Sequence, residues 1–202
     1  MKFRIDLRIL FFLALFFFTK QIKIYLIVMF FAMIHELVHA IIGSILGFKL
    51  QSFEILPFGF HINLIPNEMD YNKRILKSNM VDLKYIFISL AGPIFNLALA
   101  IIFSKMDLNI DKYINSILIY SNLLIFAFNL ILIYPLDGGR VIKSFFNIFL
   151  GEKITYKTMK ILSNITIFIF TFAGSVAILY FKNIAILIIL LYLWILFLKE
   201  RD

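Results

Sequence analysis

The stretch that decides how this chain folds is Ile22–Leu46, IKIYLIVMFFAMIHELVHAIIGSIL, in which His35, Glu36 and His39 interrupt a run that is otherwise apolar between Lys23 near its start and Ser44 near its end. About 20 consecutive apolar residues suffice to cross the hydrocarbon of a bilayer as a helix, so this stretch is long enough to span one. An ionisable side chain at the centre of such a helix costs about 2.5–3.5 kcal/mol even on lenient insertion scales, so three of them within five residues need a reason.

The rest of the chain points the same way. Of its 202 residues 62% are apolar and 17% aromatic, against 16% charged, well beyond the roughly half-apolar usage of soluble domains. Further apolar runs occupy Ile9–Thr19, Tyr85–Phe103, Ile114–Ile133, Ile161–Phe181 and Ile184–Leu198. The expectation is an all-α integral membrane protein of six transmembrane helices, forming a single membrane-embedded unit over residues 1–202. The first run also has the basic start and apolar middle of a signal peptide, but no small-residue cleavage site follows, so it reads as an uncleaved anchor.

Charge fixes the expected orientation. With a cytoplasmic N-terminus, six spans return the C-terminus to the same side and place fifteen of the 20 Lys and Arg residues in cytoplasmic loops. That distribution obeys the positive-inside rule. The net charge of +8 therefore reads as membrane topology, and nucleic acid is not an expected partner. Zero Cys residues exclude disulfides, thiolate metal ligands and a Cys nucleophile.

Between the second and third runs, FKLQSFEILPFGFHINLIP (Phe48–Pro66) alternates and breaks like two short strands about a Pro-Phe-Gly turn. A small β-hairpin at the membrane surface is expected there.

His35 and His39 are four apart, which on a helix stacks both imidazoles on one face within reach of one cation. With Glu36 they form H-E-x-x-H, in which the two His bind zinc and the Glu is the general base on water. Three His and five Glu in 202 residues produce that spacing by chance about once in a thousand such chains. The structural alternative, polar contacts within a helix bundle, has to meet the cost of burying ionisable groups.

A catalytic zinc site takes a third protein ligand. Asp137, in NLILIYPLDGGR (Asn129–Arg140), follows a Pro that should end the fourth helix and precedes two glycines that allow a tight turn. Its alternative role is a helix-capping carboxylate. Asn129, eight residues earlier, would share a face with Asp137 on a continuous helix, suited to a substrate backbone or to an interhelical hydrogen bond. His61 reads as a solvated loop residue of the hairpin, with contact to substrate or occlusion of the metal as its alternative roles, and Ala91–Asn96, AGPIFN, as a close-packing segment of the third helix.

With His35-Glu36-Leu37-Val38-His39, Ala91-Gly92-Pro93 and Asn129 through Pro135-Leu136-Asp137-Gly138-Gly139 in this order, the sequence resembles the site-2 protease family of intramembrane zinc metalloproteases. LPFGF and YPLDGGRVI are most similar to its sporulation branch, that of stage IV sporulation protein FB. The resemblance implies one zinc ion on His35, His39 and Asp137, Glu36 as catalytic base, and Asn129 and Pro135 in substrate binding. It implies a membrane-associated protein substrate, the pro-sequence of a sporulation sigma factor, with inhibitory membrane partner proteins and a location in the mother-cell membrane around the forespore. No PDZ-like insertion and no C-terminal CBS domain are expected. The rival readings are a site-2 protease acting on an anti-sigma factor or signal-peptide remnant, and a non-catalytic zinc-binding membrane scaffold or transporter.

Overall fold

The computed structural model describes residues 2–5, 7–56, 59–66, 76–106, 111–181 and 184–199. They fall into two compact units, Met1–Phe128 and Asn129–Asp202.

In the first unit, β1 (Lys2–Ile5) leads into α1 (Arg8–Phe18), α2 (Ile22–Ile45), β2 (Phe48–Leu56), β3 (Gly59–Pro66), α3 (Leu76–Lys105) and most of α4 (Lys112–Asn129). α2 ends where Gly47 takes φ +87°, a left-handed conformation that costs glycine least and turns the chain out of the helix. The expected hairpin is present: β2 and β3 pair antiparallel from Phe48↔Pro66 to Leu56↔Gly59, with an irregularity between Leu50 and Ser52. Residues 57–58, the Pro-Phe of the expected turn, lie outside the described residues. The sequence reading missed β1, which adds to β2 in parallel with Lys2 opposite Ser52 and makes the sheet three-stranded, in the order β1-β2-β3.

One stripe of α2 lies along β3. Gly59 is near Ala32, Glu36 meets the Ile62 backbone, and Leu64 fits against Gly43 so closely that a Cβ there would be 2.5 Å from Leu64 Cδ1. A neighbouring stripe lies against α3, because successive helical residues are turned by about 100°. Phe31, Ala32 and Ile125 form one buried apolar cluster, with Ile27, Val28, Ile34, Phe60, Leu99, Phe103 and Leu118 packed around them.

The second unit holds α5 (Asp137–Leu150), α6 (Glu152–Phe181) and α7 (Ile184–Lys199). Gly174 lets α6 and α7 approach, since a Cβ would sit 2.5 Å from Leu190 Cδ1, and the Trp194 indole N–H donates to Thr171 Oγ1 at 3.1 Å.

Each of the six apolar runs is helical over most of its length, but the helices differ in length. Among the described residues three helices are long and apolar enough to cross a membrane: Ile22–Ile45, Asn79–Lys105 and Glu152–Tyr180. α1, with 11 residues, rises only about 16 Å, about half the hydrocarbon thickness.

The fourth run departs from the expected continuous helix. α4 stops at Asn129, and Leu130–Leu136 is irregular, held by Ile133 N–H to Ile131 O and Leu136 N–H to Ile133 O. The helix thus ends six residues before Pro135 rather than at it. Gly138 and Gly139 are the physical reason: a Cβ on the first would collide with Leu130 O, and one on the second would lie 2.5 Å from the Ile133 carbonyl carbon. The start of α5 folds back onto the segment before it.

Candidate metal centre

The α2 stripe that faces α3 carries both imidazoles. His35 and His39 are almost fully buried, and their Nε2 atoms are 3.0 Å apart. His35 Nδ1–H donates to Asn96 Oδ1 at 2.6 Å. His39 Nδ1–H donates to the Ile88 carbonyl at 2.7 Å. A neutral imidazole carries one N–H, so a proton on Nδ1 leaves Nε2 with its lone pair. Both lone pairs thus belong to atoms 3.0 Å apart, an arrangement that repels unless a cation lies between them.

Pro93 and Gly92 shape the α3 side. Pro93 lies within the helix without ending it, and lacking an N–H it removes the bond that its predecessor four residues back, Ser89, would accept. Gly92 abuts the imidazoles: a Cβ there would lie 2.5 Å from His39 Nε2 and 2.7 Å from His35 Cε1. AGPIFN is therefore more than a packing segment, because Ala91–Asn96 supplies both the glycine beneath the rings and the amide that holds one of them.

Asn96 is itself held. Its amide nitrogen donates to Asn122 Oδ1 at 2.8 Å, and both asparagines are fully buried. Sequence reasoning missed this pair. The available signal was a polar amide in the middle of each of two apolar runs, where such groups are found when they have partners.

Glu36 is turned about 100° from the His stripe and reaches β3, where its Oε2 accepts the Ile62 N–H at 3.1 Å. The carboxylate thus sits between the imidazole-bearing face of α2 and the outer strand of the described sheet. His61, two-sided on β3 and opposite Glu54 in register, is half-buried rather than part of a solvated loop.

In the second unit, Asp137 is buried and is the first residue of α5. It is not the cap: Leu136 holds that position and makes no side-chain capping bond. Within the first turn its carboxylate faces the positive end of the helix dipole. Asn129 closes α4 and Pro135 lies in the irregular segment after a cis Tyr134–Pro135 bond. Asn129 and Asp137 consequently do not share a face of one continuous helix, and that expectation is corrected.

The comparisons with known proteins follow the same lines. Among solved structures, a site-2 protease from Methanocaldococcus jannaschii matches all of this chain and 90% of its own, with a TM-score of 0.59 at 20% identity. The fold is that of a site-2 protease. Zinc metalloprotease MJ0392 of the same organism is 31% identical over 143 residues, which are 65% of this chain and 36% of that protein. The chain thus spans about a third of the length of the curated relative it matches. No family model matches the sequence.

Proposed function

We propose that this chain is an intramembrane zinc metalloprotease of the site-2 protease family, with one zinc ion bound by His35, His39 and Asp137. The observation that carries the reading is the pair of Nε2 lone pairs 3.0 Å apart, each set by a hydrogen bond at Nδ1. Tetrahedral zinc with Zn–N bonds of 2.0–2.1 Å separates two nitrogen ligands by about 3.3–3.4 Å, within a few tenths of that spacing. The donor set fits zinc in chemistry also, combining two neutral imidazoles with a carboxylate.

Two buried carboxylates are found among the described residues, Asp82 and Asp137. Asp82 lies ten residues before Gly92 on α3, about 15 Å of helical rise from the glycine that abuts both rings. Asp137 is the carboxylate left for the third ligand position.

Bound zinc would supply Lewis-acid activation of water and of the peptide carbonyl. Glu36 accepts the proton of the attacking water and returns it to the leaving amine nitrogen. The substrate segment has to be extended there, because a helix occupies its carbonyls with its own hydrogen bonds. β3 is the outer strand of the described sheet, and addition of such a segment to its edge would bring a peptide bond beside Glu36. Asn129 and Pro135 hold the substrate backbone in this reading.

The substrate is a membrane-associated protein, and the likeness of LPFGF and YPLDGGRVI to the sporulation branch favours the pro-sequence of a sigma factor, with inhibitory membrane proteins as partners. The Lys and Arg residues of the region after α2, Lys49, Lys73, Arg74, Lys77 and Lys84, support a cytoplasmic location for that region.

The test is co-expression with a membrane-tethered pro-sigma factor, comparing the wild type with Glu36→Gln for cleavage and for zinc content after purification. Removal of a general base costs about 10²–10⁴-fold in rate, so cleavage should fall below detection while zinc is retained. Chelation of the wild type should stop cleavage and added zinc should restore it. Zinc-loaded Glu36→Gln that still cleaves would refute the assignment of the base.

A further inference from the structure

We infer that Asn122 is a positioning residue for the metal site: it selects the tautomer of His35 by fixing which end of the Asn96 amide faces the imidazole. The inference rests on the zinc reading above and adds to it a residue one helix further away.

Three hydrogen bonds of fixed polarity connect Leu118 to His35. The Leu118 carbonyl can only accept, so it is the amide nitrogen of Asn122 that lies 2.9 Å from it. Asn122 is then left to face Asn96 with its oxygen, which accepts from Asn96 Nδ2 at 2.8 Å. Asn96 in turn has only its oxygen for His35, and Nδ1 at 2.6 Å has to be the donor. A backbone carbonyl on α4 thus determines that His35 Nε2, the atom 3.0 Å from His39 Nε2, carries a lone pair.

Asn96 alone cannot enforce this. An amide rotated by 180° presents an N–H to Nδ1, and the imidazole then moves its proton to Nε2, where it blocks a metal. Burial makes the choice sharp, because Asn96 and Asn122 are both fully enclosed and no bulk solvent can satisfy a reversed amide. His39 needs no such relay: its Nδ1 faces a main-chain carbonyl at Ile88, which has no second orientation. The two ligands are therefore set by different means, one by the backbone of α3 and one by a side-chain chain ending on the backbone of α4.

The experiment is imidazole ¹⁵N NMR on the metal-free protein in detergent micelles, where the chain's 3 His residues keep the spectrum simple, paired with zinc affinity by chelator competition. In the wild type His35 should be protonated at Nδ1. Asn122→Ala should shift His35 toward the Nε2–H tautomer and weaken zinc binding roughly 10–100-fold, the usual cost of losing a hydrogen-bonding partner behind a metal ligand. In Asn96→Asp/Asn122→Ala the carboxylate accepts from Nδ1 whichever way it turns, so affinity should return to within a few-fold of the wild type. A merely structural role for Asn122 would leave that double variant as weak as Asn122→Ala, and would overturn the inference, as would an unchanged tautomer and affinity in Asn122→Ala. Should Asn122→Ala not fold, Asn122→Leu against Asn122→Asp makes the same discrimination: the first loses affinity, whereas the protonated carboxyl of the second still donates to the Leu118 carbonyl and accepts from Asn96 Nδ2 and keeps it, and equal affinities sink the idea. A wild type that binds no zinc, yet shows the Nδ1–H tautomer at His35, would defeat the zinc reading and leave the relay standing.

Discussion

Gly92→Ala tests the metal centre at the point where it has least room. The added methyl carbon would lie 2.5 Å from His39 Nε2, 2.6 Å from His39 Cε1 and 2.7 Å from His35 Cε1, where ordinary contact begins at 3.4 Å. Relief requires about 0.9 Å of movement, taken either by α3 leaving α2 or by the rings turning away. Both routes stretch the bonds at 2.6 Å and 2.7 Å that set the rings, and metal–ligand distances tolerate only about 0.2 Å. Overpacking of this kind costs about 1–3 kcal/mol of stability. Zinc affinity should fall at least 100-fold, which exceeds the range for losing one supporting bond. Gly174→Ala is the control, since its methyl would meet Leu190 Cδ1 at the same 2.5 Å. There the obstacle is the end of a flexible side chain in the second unit, so stability should drop modestly with zinc binding unchanged. Chelator competition and thermal unfolding of both purified variants decide it. A folded Gly92→Ala that holds zinc as the wild type does would refute the account of how α3 seats the imidazoles.

Two further predictions concern the carboxylates and the orientation. Asp137→Ala should lose zinc by more than the roughly 100-fold cost of a supporting contact, whereas Asp82→Asn should retain it; zinc content by mass spectrometry distinguishes them, and the reverse result removes Asp137 as a ligand. The native chain has no Cys, so single cysteines can be read without background: Lys49→Cys should be protected from a membrane-impermeant maleimide in intact cells and Lys112→Cys labelled. The opposite pattern would invert the topology.

The sequence made the chemistry legible more readily than the scaffold. H-E-x-x-H in an apolar run announces itself because ionisable groups are costly there, and the hairpin was readable from the alternation of Phe48–Pro66. The end of α4 was not, since Leu130–Tyr134 is as apolar as a helix and hydropathy reports burial rather than backbone conformation. Its irregularity depends on Gly138 and Gly139 allowing later residues to fold back. β1 was hidden in the same way, a strand of 4 residues too short for any periodicity. Asn96 and Asn122 are 26 apart in sequence, and only the packing of α3 against α4 gives the pair its meaning.

The partners that fix the two imidazoles, Ile88, Asn96, Asn122 and Leu118, all precede Asn129 in the chain. During synthesis the nitrogen ligands can therefore be set in their final tautomers before the last third of the protein has left the ribosome. On the zinc reading, the order of translation is also an order of assembly: a nitrogen pair comes first, with only a weak hold on any metal, and firm capture waits for the carboxylate that arrives with α5. Nascent chains released before Asp137 would then carry an ordered half-site yet retain no zinc, so that metal retention marks a chain whose synthesis has passed Asp137 and whose α5 has folded.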